Sequence, residues 1–228
     1  MKQEIIIPPF VESPDSFRCG QSVVLMILKH FIPEREWSFE DADKICGYVE
    51  EKWTWSEAAA VSLAEIGFEV QCITDFDIEA FLKSPENYFV KKYGPENGIE
   101  MLTLADMKST VEYFNRYLSN PNILTIKRSW TVQDAIALLN EGYLLMTWVD
   151  SDVLSSLNLN GSGHFVTVFH YDENLQRIIF HNPGYLSSKL GIYINAAKST
   201  CIGIDHFMKA AKADGESGSS LTAFRLKK

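Results

Sequence analysis

Residues 165–181 read Phe165-Val166-Thr167-Val168-Phe169-His170-Tyr171-Asp172-Glu173-Asn174-Leu175-Gln176-Arg177-Ile178-Ile179-Phe180-His181. Two runs of β-branched and aromatic residues, 165–171 and 176–181, flank Asp172-Glu173-Asn174, a polar connection of the length that closes a hairpin. This hairpin sets the character of the second half of the chain. Residues 143–149 form a continuous apolar run, as in a strand buried on both faces. Segments 68–73, 122–127, 191–194 and 221–226 read as further strands, the last joined to a preceding helix by Asp214-Gly215-Glu216-Ser217-Gly218-Ser219-Ser220. Upstream the pattern is helical. Residues 21–31, after Cys19-Gly20, are apolar on nearly every side, which marks a buried helix. Ser38 opens a helix over 39–51. Thr54 with Glu57 makes a capping box for 55–66, and Gly67 closes that helix. Ser84-Pro85 starts a short helix ending before Gly94. Thr103 or Asp106 starts one that reaches Leu118. Thr131 with Asp134 starts 132–141, stopped by Gly142, and Asp205 caps 206–213. Helices followed by strands predict an α+β fold with an antiparallel sheet.

The 228 residues carry 21 Lys and Arg against 30 Asp and Glu, a formal net charge of −9, with 46% hydrophobic and 12% aromatic content. The apolar content excludes a disordered chain. The acidity excludes a general nucleic-acid or anionic-membrane binder. The longest near-continuous apolar run, Val23 to Leu28, is far shorter than the ~20 residues that span a bilayer. Met1-Lys2-Gln3-Glu4-Ile5-Ile6-Ile7-Pro8-Pro9 has no signal-peptide core. The 4 cysteines, at 19, 46, 72 and 201, include no CxxC pair. No metal or cofactor is therefore expected, and free thiols in a soluble cytoplasmic protein are. The length suits one domain over 1–228.

Cys19 stands just before the buried helix and after the turn-like Ser13-Pro14-Asp15-Ser16. A cysteine at a helix N-terminus meets free N–H groups and the positive end of the dipole, which favour the thiolate and can receive an oxyanion. The competing reading is an inert packed cysteine. A thiol nucleophile needs a base, drawn from His30, His164, His170, His181 and His206. His164 follows a Ser-, Asn-, Asp- and Gly-rich loop from Asp150 to Gly163 and opens the first hairpin strand. With the hairpin centred on Glu173, His164 faces Asn182, whose carboxamide can orient the ring. Gln176 then faces His170 and Phe165 faces His181, which are poorer orienters. The chain order Cys19, His164, Asn182 is that of papain-like thiol enzymes.

Four stretches carry a more specific likeness, in order. They are Pro8-Pro9-Phe10 with Cys19-Gly20-Gln21-Ser22 and its apolar helix, then Gly163-His164-Phe165-Val166-Thr167-Val168-Phe169-His170-Tyr171-Asp172, then His181-Asn182-Pro183-Gly184, then Asp205-His206-Phe207-Met208-Lys209-Ala210. They resemble the N-terminal motif, the GHFVVVxGYD strand, the xDPG turn (with Asn for Asp) and a phenylalanine-bearing helix of the C39-like peptidases. The likeness covers both ends of the chain and fades over about 84–129. It implies a papain-like cysteine proteinase fold, in which an N-terminal helical part with a buried nucleophile helix packs on a C-terminal antiparallel sheet. It implies Cys19 as nucleophile, His164 as general acid/base and Asn182 as orienter, cleaving a peptide or isopeptide-like amide through an acyl-enzyme. One position departs from the family, which carries a Gln about six residues before the Cys. Ser13 stands there, with one hydrogen bond to donate, and is the candidate oxyanion residue; an ionised Glu12 beside it cannot donate. Gln21 lies inside the helix start and is not counted. Losing one oxyanion donor costs about 10²–10³ in turnover. Three functions follow: a cysteine peptidase or amidohydrolase, an inactive papain-like domain that binds a peptide or protein partner, or an acyl or amine transferase on the same triad.

Cys46, Cys72 and Cys201 read as packing residues in a helix, a strand and a pre-helix segment. Trp53, Trp55 and Trp37 read as core or helix-entry residues, with a groove lining as the alternative. Lys91, Lys92, Glu96 and Glu100 read as solvated surface. Residues 84–129 hold Tyr88, Phe89 and Tyr93 and, at helical spacing, Tyr113, Phe114 and Tyr117. They are expected to form a helical insertion beside the cleft.

Overall fold

The computed structural model describes residues 7–155, 163–187, 192–194, 196–211 and 220–227; the linker residues 214–219 and Gly191 lie outside this set, as do residues 156–162 of the Asp150–Gly163 loop. The N-terminal part holds α1 (Cys19–Phe31), α2 (Phe39–Cys46), α3 (Ser56–Ile66), β1 (Phe68–Thr74), α4 (Ile78–Lys83), α5 (Pro85–Tyr93), α6 (Pro95–Leu104), α7 (Met107–Ser119) and β2 (Ile123–Lys127). The remainder holds α8 (Val132–Asn140), β3 (Leu144–Asp150), α9 (Ser151–Ser155), β4 (Gly163–Asp172), β5 (Arg177–Asn182), β6 (Tyr185–Ser187), β7 (Ile192–Ile194), β8 (Ala197–Gly203), α10 (Ile204–Ala211) and β9 (Leu221–Leu226).

Local chemistry sets several of these ends. Ser38 and Thr131 each form a full capping box, with Asp41 and Asp134 respectively. α2 stops earlier than the sequence suggests, because Gly47 takes a left-handed φ of 60° and returns its N–H to Lys44 and Asp43. The Thr54–Glu57 box does not form. Trp55 is the N-cap of α3, without a side-chain cap bond, and the Glu57 carboxylate turns inward to Ser56 Oγ at 3.2 Å.

A seven-stranded mixed sheet runs β2-β1-β9-β3-β4-β5-β8, with β6 and β7 as a separate pair. The expected antiparallel sheet has one exception: β1 and β2 are parallel. The reason is the connection between them. Parallel neighbours need a long crossover, and α4 to α7 supply it, so residues 84–129 belong to the β1–β2 crossover and end in β2. Helices cover both faces rather than one. Val24, Leu25, Leu28, Ala59, Leu63 and Phe68 belong to the core that also takes Leu144 and Met146. Leu145, Val149, Val166 and Val168 point the other way, into a core with Leu138 of α8 and Phe207 of α10. Alternation along β3 thus feeds both cores, which explains its unbroken apolar run.

The crossover helices are held by aromatic rings. Trp55 lies parallel to Phe89, with ring centres 5.7 Å apart, and Phe114 meets Trp55, Phe76 and Phe81 edge-on. Trp37 is buried and donates Nε1–H to Ile32 O, while Trp53 is exposed. Lys92 is not a solvated surface residue: it lies over the Phe76 ring at 5.2 Å and 3.8 Å from Asp75. Cys46 and Cys72 are buried as expected, but Cys201 is exposed on β8, a strand with no other strand beyond it in the described sheet. Among the described residues no helix is long and apolar enough to cross a membrane, and no cluster of His, Cys, Asp and Glu could hold a metal.

Two outcomes test this packing. Phe114→Ala is expected to cost about 3–5 kcal/mol in denaturant unfolding, and Leu124→Ala on exposed β2 within about 0.5 kcal/mol. Burial raises the Glu57 pKa, with backbone and Ser56 hydrogen bonds opposing it. A carboxyl raised on folding stabilises below its unfolded pKa and loses that contribution as pH rises through the folded value. Glu57→Gln should therefore exceed the parent in stability by about 1–3 kcal/mol at pH 8, and match it near pH 4, in unfolding titrations at both pH values.

Candidate active site

The site begins with the β4–β5 ladder. Asp172↔Arg177, Tyr171↔Ile178 and His170↔Ile179 share one register; Val168↔Phe180 and Thr167↔His181 share another, one residue shifted. Phe169 is the extra residue, a β-bulge. The hairpin therefore does not centre on Glu173. Continued past Thr167, the second register puts Val166 opposite Asn182, so His164 lies two residues further along and diagonal to Asn182. An offset of two keeps both on the same face. Had the first register continued, His164 would share a face with His181 instead. Phe165 and Gln176 do not face His181 and His170 as expected; Thr167 and Ile179 do.

His164 and Asn182 are both buried, and His164 Nε2 is 2.7 Å from Asn182 Oδ1. Gly184 N–H donates to the same Oδ1 at 2.9 Å, which identifies that atom as the acceptor oxygen. Nε2 therefore carries the proton, and Nδ1 is the ring's basic nitrogen. The positive φ of Gly184, 61°, lets the chain turn back under Asn182 at once, a conformation that suits glycine.

Cys19 is the first residue of α1 and is partly exposed. The backbone N–H groups of Phe165, Gly20 and Cys19 itself act on the sulfur in the sense that favours its ionised form. The ladder would next pair Phe165 with Pro183, where β5 has ended, so that N–H is available to the thiol. Burial pushes the thiol pKa up; the three N–H donors pull it down, and Asp15 adds to the rise. The upward balance differs from the thiolate expected of a helix start, because desolvation outweighs the dipole here.

Ser13 is fully buried. Its hydroxyl donates to Asp15 O at 2.8 Å and its N–H to Pro183 O at 3.1 Å, so its one side-chain proton is committed within the turn. Gln21 is also buried and donates Nε2–H to Thr54 Oγ1 at 3.2 Å. His181 has both ring nitrogens engaged: Ser199 N–H donates to Nδ1 at 2.9 Å, so Nε2–H donates to Pro8 O at 2.8 Å. It pins the segment before Cys19 to the sheet. His206 lies 3.3 Å from Leu154 O on the surface, and His30 packs edge-on to Phe31. Two contributors were not foreseen from the sequence. The N–H of Phe165 is a backbone group with no residue signature. The other is Arg18, next to Cys19 in the chain, and only that adjacency could have drawn notice.

No family model matches the chain, and no curated protein does. Eight chains of solved structures match, among them the peptidase domain of Streptococcus ComA, described as a bi-functional ABC transporter involved in a quorum-sensing pathway. The match is at 10% identity and a TM-score of 0.45, over 95% of this chain and 97% of that one.

His181 is a testable structural histidine. Burial lowers its pKa, the Pro8 bond opposes this, and Lys198 adds to it. A histidine lowered on folding stabilises above its unfolded pKa and loses that contribution as pH falls through the folded value. Its ring resonances should titrate below about pH 6.5 in NMR spectra. In the same spectra His164 should show a single Nε2–H tautomer that becomes mixed in Asn182→Ala.

Proposed function

We propose that the chain is a cysteine-dependent amide hydrolase of papain-like arrangement, acting on a peptide or isopeptide-like bond. The observation that carries the reading is the His164–Asn182 hydrogen bond, with Cys19 at the start of a buried helix and acted on by the backbone of Phe165, the residue after His164. Asn182 holds the imidazole as the Nε2–H tautomer and leaves Nδ1 to take the thiol proton. Because burial favours the protonated thiol, His164 acts as a base when substrate arrives rather than holding a resting thiolate. The sulfur then attacks the carbonyl carbon, and the imidazolium protonates the departing amine. Water, activated by the same ring, hydrolyses the thioester and frees Cys19. The oxyanion is received by the N–H groups at the start of α1, aligned with its dipole. This replaces Ser13 in that role, since its hydroxyl is spent on Asp15. An amine in place of water would give the transferase reading from the same acyl-enzyme.

A second reading has its own observation. With Ser13 committed and no Gln at its position, one side-chain oxyanion donor of the C39-like pattern is missing, which favours an inactive domain that binds a peptide or protein partner.

The experiment is a screen of peptide amides with mass-spectrometric detection of products and of an acyl adduct on Cys19. Cys19→Ala should abolish turnover. His164→Ala should lower kcat by about 10²–10⁴, and Asn182→Ala by less. Ser13→Ala should change kcat by under about threefold, where a true oxyanion donor would cost about 10²–10³. Turnover that survives Cys19→Ala overturns the proposal, and partner binding without any adduct supports the second reading.

A further inference from the structure

The residue immediately before Cys19 is held more firmly than a loop residue needs to be. Arg18 ion-pairs with Asp15 in its own turn and with Asp43 of α2, where Nε lies 3.1 and 3.2 Å from the two carboxylate oxygens. Its guanidinium carbon sits 4.2 Å from the centre of the Tyr48 ring. Its carbonyl accepts from Ser22 N–H at 3.0 Å and from Ser22 Oγ at 3.1 Å, which makes it the N-cap of α1. Asp15 in turn receives Phe17 N–H at 2.8 Å. One planar cation therefore ties the 13–18 turn, α2 and the first turn of α1 into a single unit.

That unit also decides which charges Cys19 faces. The titratable and charged groups linked to it are Asp15 in its turn and Cys46 of α2, with the neighbouring Arg18 and, through Arg18, Asp43 of α2 and Tyr48 after α2. Asp15 acts on the sulfur in the sense that opposes ionisation. Asp43 acts in the same sense on Cys46. Both carboxylates are bonded to the one guanidinium, and Arg cannot shed its charge in the working pH range.

We propose that Arg18 is a positioning residue for Cys19: it fixes the turn that presents the sulfur and screens the sulfur from the Asp15 carboxylate. The inference rests on the thiol chemistry proposed above and adds a residue to it. It predicts that charge, not only shape, is what Arg18 contributes. An Arg18→Lys change keeps the charge but gives up the fork that holds two carboxylates at once.

The test is the pH profile of Cys19 alkylation by iodoacetamide, read at that residue by mass spectrometry so that exposed Cys201 does not contribute. Folding of each variant is checked by thermal unfolding. Arg18→Gln should move the midpoint of the profile upward by about one unit, a tenfold slower reaction below the midpoint. Arg18→Gln/Asp15→Asn should bring it most of the way back, and Arg18→Lys should move it less than Arg18→Gln. If Arg18→Gln does not fold, Asp15→Asn alone still tests the idea, because it should lower the midpoint. An unmoved midpoint in Arg18→Gln, or in Asp15→Asn, overturns the inference. Equal elevation in Arg18→Gln and Arg18→Gln/Asp15→Asn overturns it as well, since shape alone would then account for the effect. Turnover that survives Cys19→Ala would instead sink the functional reading while leaving these midpoints to stand.

Discussion

The β4–β5 ladder governs the candidate site through one inserted residue. Phe169 has no partner across the hairpin, and the register on its two sides differs by one. Because strand side chains alternate with a period of two, a one-residue slip exchanges everything on one face for everything on the other. With the bulge, His164 and Asn182 share a face and meet at 2.7 Å, while His181 joins Thr167 on the α1 side. Phe169 packs its own ring against His181, with centres 4.6 Å apart, so the residue that shifts the register also buries the histidine displaced from the site.

Neighbouring residues thereby take unrelated tasks. His181 has both nitrogens bonded to backbone groups and anchors the segment from Pro8. Asn182 turns the other way and accepts two donors on a single oxygen, from His164 and Gly184. A carbonyl oxygen has two lone pairs, so this arrangement is saturated and the imidazole cannot swing without losing a charge-capable hydrogen bond. The same segment from Pro8 reaches Pro183 through the Ser13 N–H, so the stretch leading into Cys19 and the turn after Asn182 are stitched together.

Much of the frame was legible from composition and spacing. The apolar run of α1, the helix starts at Ser38 and Thr131, and strand β9 all follow from short-range rules, because each depends on residues within a few positions of one another. The readings that failed depended on distant partners. Glu57 looked like a capping residue, yet it faces a core assembled from α3 and the sheet. Lys92 looked like surface, yet the rings of Phe76, just after β1, and of Tyr88 and Tyr93 of α5 lie around it. Separately, only the position of β2 beside β1 shows that residues 84–129 include the crossover that makes the pair parallel.

The sequence by itself determined the candidates: a cysteine before a buried helix, a histidine opening a strand, and an asparagine closing the strand that pairs with it. Residue type and order suffice for that, because they state which groups can carry the chemistry. What the tertiary structure alone decided is how those groups are arranged. Hairpin arithmetic named Asn182 for His164 through a centre at Glu173 that the chain does not use. The bulge at Phe169 supplied a second displacement that restored the pairing to the correct face. Bulges, burial of a thiol and the commitment of the Ser13 hydroxyl are outcomes of packing between segments far apart in the chain, and no local pattern encodes them.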